Sequence, residues 1–201
     1  MESRSPSLAA ATAGAEYPLT RSQLMMWTGQ SLQPSDPLYN MVLTFRLRGR
    51  IDEPAFCAAF SKLVANSDAL RTVFVVRSGT PRQCVLPSTT YDIPVVELDI
   101  SELDAWVAER AERILDLTER PYDTALIKLA DDDYVWFLNQ HHLVTDAWSA
   151  SLIFEYLSEY YELAVAGRLH EAPLPPSFGN YVAYEARQQE SGAMARAERY
   201  W

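Results

Sequence analysis

The stretch Tyr134-Val135-Trp136-Phe137-Leu138-Asn139-Gln140-His141-His142-Leu143-Val144-Thr145-Asp146-Ala147-Trp148-Ser149 decides how the rest of the chain is read. Its first part, Tyr134 to His142, is dense in aromatic and apolar residues and reads as a strand. From Ala147 the period changes. Trp148, Leu152, Ile153, Tyr156, Leu157 and Tyr161 recur at helical spacing to about Ala166, and Gly167 supplies the stop. A strand sends neighbouring side chains to opposite faces, so His142 shares a face with Trp136 and Leu138 while His141 shares one with Val135 and Phe137. Only one of the two histidines can enter a given cleft.

Towards the amino terminus, Asp131-Asp132-Asp133 marks a bend, with a further strand at Ala125 to Leu129 behind it. Leu103, Val107, Ala111, Ile114 and Leu115 predict a helix entered from Ser101, with Asp104 in capping-box position. Ile93 to Leu98 reads as a strand. Leu70 to Arg77 and Arg82 to Leu86 predict a hairpin joined across Ser78-Gly79-Thr80-Pro81. Asp52 and Pro54 open a helix whose Phe56, Phe60, Leu63 and Val64 form one apolar stripe. Met41 to Arg48 alternates as a strand, and Thr20 with Gln23 predicts a capping box opening a helix that runs to about Gln30. The small, polar residues 1–16 read as a flexible leader. Beyond the long helix, Pro173, Pro175 and Pro176 make a stiff connector, and Phe178 to Trp201 reads as a charged helical segment. The mixture predicts an α+β sandwich in which helices cover one sheet.

Composition narrows the function classes. The chain has 201 residues, 48% of them hydrophobic, which suits one domain with a substantial core. With 17 basic and 27 acidic residues the formal charge is −10, a field that repels nucleic-acid phosphates. No apolar run is long enough to span a bilayer, so no membrane partner is expected. Two cysteines, Cys57 and Cys84, suggest neither a disulfide framework nor a zinc site, and a cytoplasmic location is expected.

A histidine at a strand terminus suits general base catalysis, since its pKa lies near neutrality and substrates reach the loop beyond a strand. Asp146 can orient the imidazole, cap the following helix, or pair with an arginine elsewhere. A metal centre is not expected, because adjacent residues rarely ligate one ion together and no third histidine or cysteine is close in sequence. No Gly-x-Ser-x-Gly elbow is present, which argues against a serine hydrolase. Gln23 and Trp27, four residues apart, read first as one more packed helix face. The crowded Tyr156, Tyr160 and Tyr161 read as core or lobe contact, and His170 as solvent-exposed.

The segment His141 to Ser149 resembles the His-His-x-x-x-Asp-Gly signature of nonribosomal peptide synthetase condensation domains and their chloramphenicol acetyltransferase-like superfamily. Leu19 to Trp27 resembles the first condensation motif, Ser67 to Phe74 the second and Phe178 to Tyr184 the fourth, in the family's order. The resemblance implies one lobe, the amino-terminal one, of the two-lobed condensation fold over residues 17–201, with the carboxy-terminal lobe as partner. It implies an acyltransferase forming an amide bond between a carrier-tethered donor and an amine acceptor. The chain itself binds no cofactor on this reading; acyl or peptidyl carrier proteins deliver phosphopantetheine arms. His142 would act as base or positioning residue. His141 and Asp146 would be structural, Asp146 through a buried ion pair for which Arg71 is the candidate. Backbone groups at the helix start beyond Asp146 would face developing negative charge, with Ala147 and Trp148 supporting the site. Ala147 stands where the family usually has Gly, so a narrower channel or an altered backbone angle is expected. Ser67 stands where a histidine is common. Alternatives are a non-catalytic docking module for carrier or tailoring proteins, and a stand-alone acyl-coenzyme A-dependent acyltransferase. The half-length chain alone is expected to be inactive, and to dimerise or be poorly soluble through its uncovered apolar surface.

Overall fold

A computed structural model describes residues 14–88 and 90–190. Residues 1–13 of the expected leader and 191–201 of the expected final helix lie outside the described residues. The chain forms β1 (Glu16–Pro18), α1 (Arg21–Leu32), β2 (Asn40–Arg48), α2 (Glu53–Asn66), β3 (Thr72–Arg77), β4 (Thr80–Val85) and β5 (Val95–Glu97). It continues through α3 (Leu103–Ala111), β6 (Tyr122–Ala130), β7 (Asp133–His141), α4 (Ala147–Val165) and α5 (Phe178–Glu190). Glu16, assigned from sequence to the leader, instead pairs with Cys84 in the β1–β4 ladder, and the Val85 amide donates to the Ala15 carbonyl.

The helix starts follow the chemistry of their caps. Thr20 Oγ1 accepts from the Gln23 amide while Gln23 Oε1 accepts from the Thr20 amide, which closes the expected capping box. Asp52 caps α2 by accepting from the Ala55 amide at 2.9 Å. Phe56, Phe60, Leu63 and Val64 are all buried along its one apolar face. The β3–β4 hairpin turns on two residues only, Ser78 and Gly79, with φ of 49° and 77°. Two successive left-handed residues match the twist of the flanking strands, so Thr80 and Pro81 lie in β4 rather than in the turn.

α3 departs from its expected start and end. Its cap position is Glu102, which makes no side-chain cap bond, because the Ser101 hydroxyl and amide both donate to Asp99 in a turn of their own. The helix stops at Ala111, leaving Ile114 half exposed.

The larger sheet has the order β2-β7-β6-β5, antiparallel except for the parallel β5–β6 pair. Helices cover both of its faces. α2 and α4 bring Phe60, Leu63, Leu157 and Tyr160 against Tyr134, Trp136 and Leu138. On the opposite face α3 lays Trp106 across Phe137 at 5.2 Å, edge to face. A central strand buried on both faces has no polar alternation, which is why β7 reads as a continuous apolar run. Trp136 Nε1, deep in this core, donates to Thr124 Oγ1, whose hydroxyl donates to the Phe137 carbonyl. The smaller sheet, β1-β4-β3, is antiparallel and packs a separate cluster of Val73, Val75 and Cys84.

Candidate active site

The site grows from the end of β7, where the strand leaves the sheet and must turn into α4. The His141 amide donates to Pro121 O and the His142 amide to Tyr39 O, both at 2.8 Å, so the two histidines are still tied to the ends of the neighbouring strands. Beyond them the backbone reverses, with the Val144 amide bonded to His141 O.

His141 points into the fold and is 3% exposed. Its Nδ1 accepts from the Leu143 amide at 3.1 Å. An amide only donates, so the ring proton sits on Nε2, which faces Gln30 Oε1 at 3.3 Å. Burial, with a smaller contribution from His142, pushes the His141 pKa down to about 4. His141 is therefore neutral at physiological pH and acts as a scaffold.

His142 takes the other direction. Its Nδ1 lies 2.6 Å from Thr145 O. A carbonyl only accepts, so Nδ1 carries the proton and the Nε2 lone pair is left for chemistry. No protein partner at Nε2 is found among the described residues. His142 lines a cavity of about 660 Å³ bounded by α1, α4 and the chain leading into α5, with Met26, Leu70, Leu152, Ile153 and Tyr156 among its apolar walls. The opposite faces expected of the pair are thus observed, although β7 itself ends at His141.

Asp146 is the amino-terminal cap of α4. Its carboxylate accepts from the Ser149 amide and the Ser149 hydroxyl, each at 2.7 Å. The Ser149 amide is the main cause that holds its pKa below the ordinary carboxylate value, joined by the Ser149 hydroxyl and His142. One expectation is corrected here. Asp146 is exposed and makes no ion pair among the described residues; Arg71 donates instead to Leu86 O and lines a different cavity of about 370 Å³. The Asp146 carboxylate also faces the start of α4, where it accepts from the Ser149 amide.

Ala147 is the first residue of α4, and Ser78 is the one described non-glycine residue with positive φ. The methyl group thus sits on ordinary helical backbone, so no altered angle results, and Ala147 does not line this cavity. Trp148 borders the cavity and is 74% exposed. Ser67 also borders it, its hydroxyl accepting from the Leu70 amide at 3.3 Å. Trp27 packs at 6.3 Å from Phe74, and His170 is exposed beside Glu171. No cluster of three or more His, Cys, Asp or Glu suited to a metal occurs among the described residues.

Two residues near the site were not singled out for their observed roles from sequence. Gln23 is 3% exposed, and its Nε2 donates to Leu143 O and Gln83 Oε1. Its capping half was readable from Thr20-x-x-Gln23, but nothing local signals the donor half, which reaches a residue 120 positions away. Asp68 accepts from the Ser177 hydroxyl and from the amides of Phe178 and Gly179, capping α5 from a distance.

A family model described as "Condensation domain" matches residues 14–201. The chain is 35% identical over 194 residues to an isonitrile lipopeptide synthase of Mycobacterium tuberculosis, covering 92% of this chain and 8% of that protein. It resembles the solved starter condensation domain of rhizomide synthetase, with a TM-score of 0.80 and 25% identity, over 93% of this chain and 47% of that one. It likewise resembles the first condensation domain of the calcium-dependent antibiotic synthetase, solved with a substrate analogue, with a TM-score of 0.82 and 25% identity over 92% and 45%. The chain thus spans less than half of each solved domain.

Proposed function

Because this chain belongs to the condensation domain family, we propose that it is the amino-terminal lobe of a domain that forms an amide bond between a carrier-tethered acyl donor and an amine acceptor. The observation that carries this reading is the fixed orientation of His142, its Nδ1–H committed to Thr145 O and its ring bordering the 660 Å³ cavity. The acceptor amine attacks the donor thioester carbonyl, forming the C–N bond. His142 Nε2 takes the proton that the amine must lose and the C–S bond breaks; the proton then passes to the departing phosphopantetheine thiolate. A base already in the correct tautomer needs no reorganisation before accepting the proton.

The remaining parts follow from this assignment. Carrier proteins deliver both phosphopantetheine arms, and the chain holds no cofactor of its own. The carboxy-terminal lobe completes the cavity and covers apolar side chains this lobe leaves open, Met25 and Trp148 among them at 70% and 74% exposure. No described helix is long and apolar enough to cross a membrane, and a cytoplasmic synthetase is the setting we assign. His141 and Asp146 support His142 indirectly, one by shaping the loop and one by starting α4.

The test is His142→Ala in the complete domain with both loaded carriers. Loss of amide formation by two or more orders of magnitude, roughly the worth of a positioned base, supports the reading. Undiminished amide formation removes it.

A further inference from the structure

Leu143 follows His142 directly, and both of its backbone polar groups are held by side chains. Its amide donates to His141 Nδ1 at 3.1 Å and its carbonyl accepts from Gln23 Nε2 at 2.9 Å. The second contact belongs to a buried relay. Gln23 Oε1 accepts from the Thr20 amide at 2.9 Å, Gln23 Nε2 also donates to Gln83 Oε1 at 3.1 Å, and Gln83 Nε2 donates to Pro18 O at 2.8 Å. Gln23 and Gln83 are 3% and 1% exposed. The relay ends on groups whose roles admit no choice, an amide that only donates and carbonyls that only accept, so each glutamine has one possible amide orientation.

We infer that Gln23 is a positioning residue for His142, clamping Leu143 O so that the loop carrying the imidazole is fixed to α1 and, through Gln83, to the small sheet. This inference rests on the assignment of His142 as the base. The clamp joins three elements that share no backbone ladder: the start of α1, β4 and the β7–α4 loop. A glutamine is required because one side chain must accept at the helix start and donate twice beyond it. Glutamate meets the first demand equally well, since it serves at the same capping-box position, but a carboxylate cannot donate. Helix capping and loop clamping are therefore separable by Gln23→Glu.

The experiment compares wild type, Gln23→Glu and Gln23→Met in the intact protein that carries this chain. Amide hydrogen exchange is read by mass spectrometry as the variant to wild-type ratio at matched pH, which cancels the intrinsic pH dependence. At pH 8 the carboxylate introduced by Gln23→Glu opposes Leu143 O, and exchange across residues 143–146 rises by about tenfold, while the first turn of α1 keeps wild-type protection. Towards pH 5.5 the buried carboxyl takes up a proton, donates again, and the ratio falls towards one. Gln23→Met, which can neither cap nor clamp, loosens both segments at every pH. The positioning role is also read in turnover: for Gln23→Glu, kcat relative to wild type falls about tenfold at pH 8 with KM moving less than about twofold, and recovers on acidification. Wild-type exchange of 143–146 in Gln23→Glu at pH 8, or equal loosening of loop and helix start, overturns the clamp. Loosening of the loop without any fall in kcat overturns the positioning role. If His142→Ala is fully active while the loop still loosens in Gln23→Glu, the clamp stands and the assignment of the base is what has failed.

Discussion

His142 Nδ1 lies 2.6 Å from the carbonyl oxygen of Thr145, three residues further along the same loop. The loop therefore sets the tautomer of its own histidine without help from a carboxylate. In many base-catalysed sites an aspartate holds Nδ1–H; here a backbone carbonyl does so, and Asp146 is left to start α4. The site is thus as rigid as the turn between β7 and α4, and the predictions below concern the groups that hold this turn.

His141 makes stability depend on pH. Its folded pKa is near 4 against an ordinary value of 6.5, so between these values the unfolded chain binds the extra proton. Stability therefore falls as pH drops from about 6.5 towards 4, by at most about 1.4 kcal/mol per pH unit from this group, and this contribution is flat above 6.5. Denaturant unfolding of wild type and His141→Asn across this range measures it. The variant should lose this part of the slope, and an unchanged slope would contradict the buried neutral imidazole.

Asp146 and Arg71 should be energetically independent. Asp146→Ala removes the α4 cap at a cost of about 1 kcal/mol, and because its carboxyl pKa lies below the ordinary value, the stabilisation is present at neutral pH and is lost as pH falls through the folded value. Arg71→Met acts through its contact with Leu86 O. A double-mutant cycle should return a coupling below about 0.5 kcal/mol. A coupling several times larger would restore the ion pair that the geometry lacks.

Asp68→Ala should release the start of α5. The substitution removes one hydroxyl and two amide hydrogen bonds and should cost about 1 to 2 kcal/mol. Faster amide exchange over residues 178–185, with α2 unchanged, is the expected signature. Equal protection in the variant would mean that α5 is held elsewhere, for instance by Glu185 Oε1, which accepts from the Arg21 amide.

These groups show where sequence reading succeeds and where it stops. Interactions within one turn were readable: the Thr20–Gln23 box, the Asp52 cap, the Phe56-to-Val64 stripe and the reversal of His141 and His142 across a strand. The four ordered motifs pointed to the condensation family that the comparisons show. What was missed is non-local or competes locally. Asp68 reaches across 109 residues to cap α5, and Gln23 across 120 to hold Leu143. Parallel pairing of β5 with β6 leaves no local pattern, and although α3 was readable as a helix, nothing local showed that it packs on the second face of β7. Ser101 had the chemistry of a cap but is engaged by Asp99 instead. Arg71 had the right charge for Asp146 and the wrong place.

The central claim is that His142 Nε2 receives the proton of the attacking amine. Single-turnover amide formation by the complete domain with both loaded carriers, measured from about pH 5 to 9 for wild type and His142→Ala, tests it most directly. The account predicts a variant about two to four orders of magnitude slower than wild type across this range. A His142→Ala enzyme that keeps the wild-type rate would contradict it.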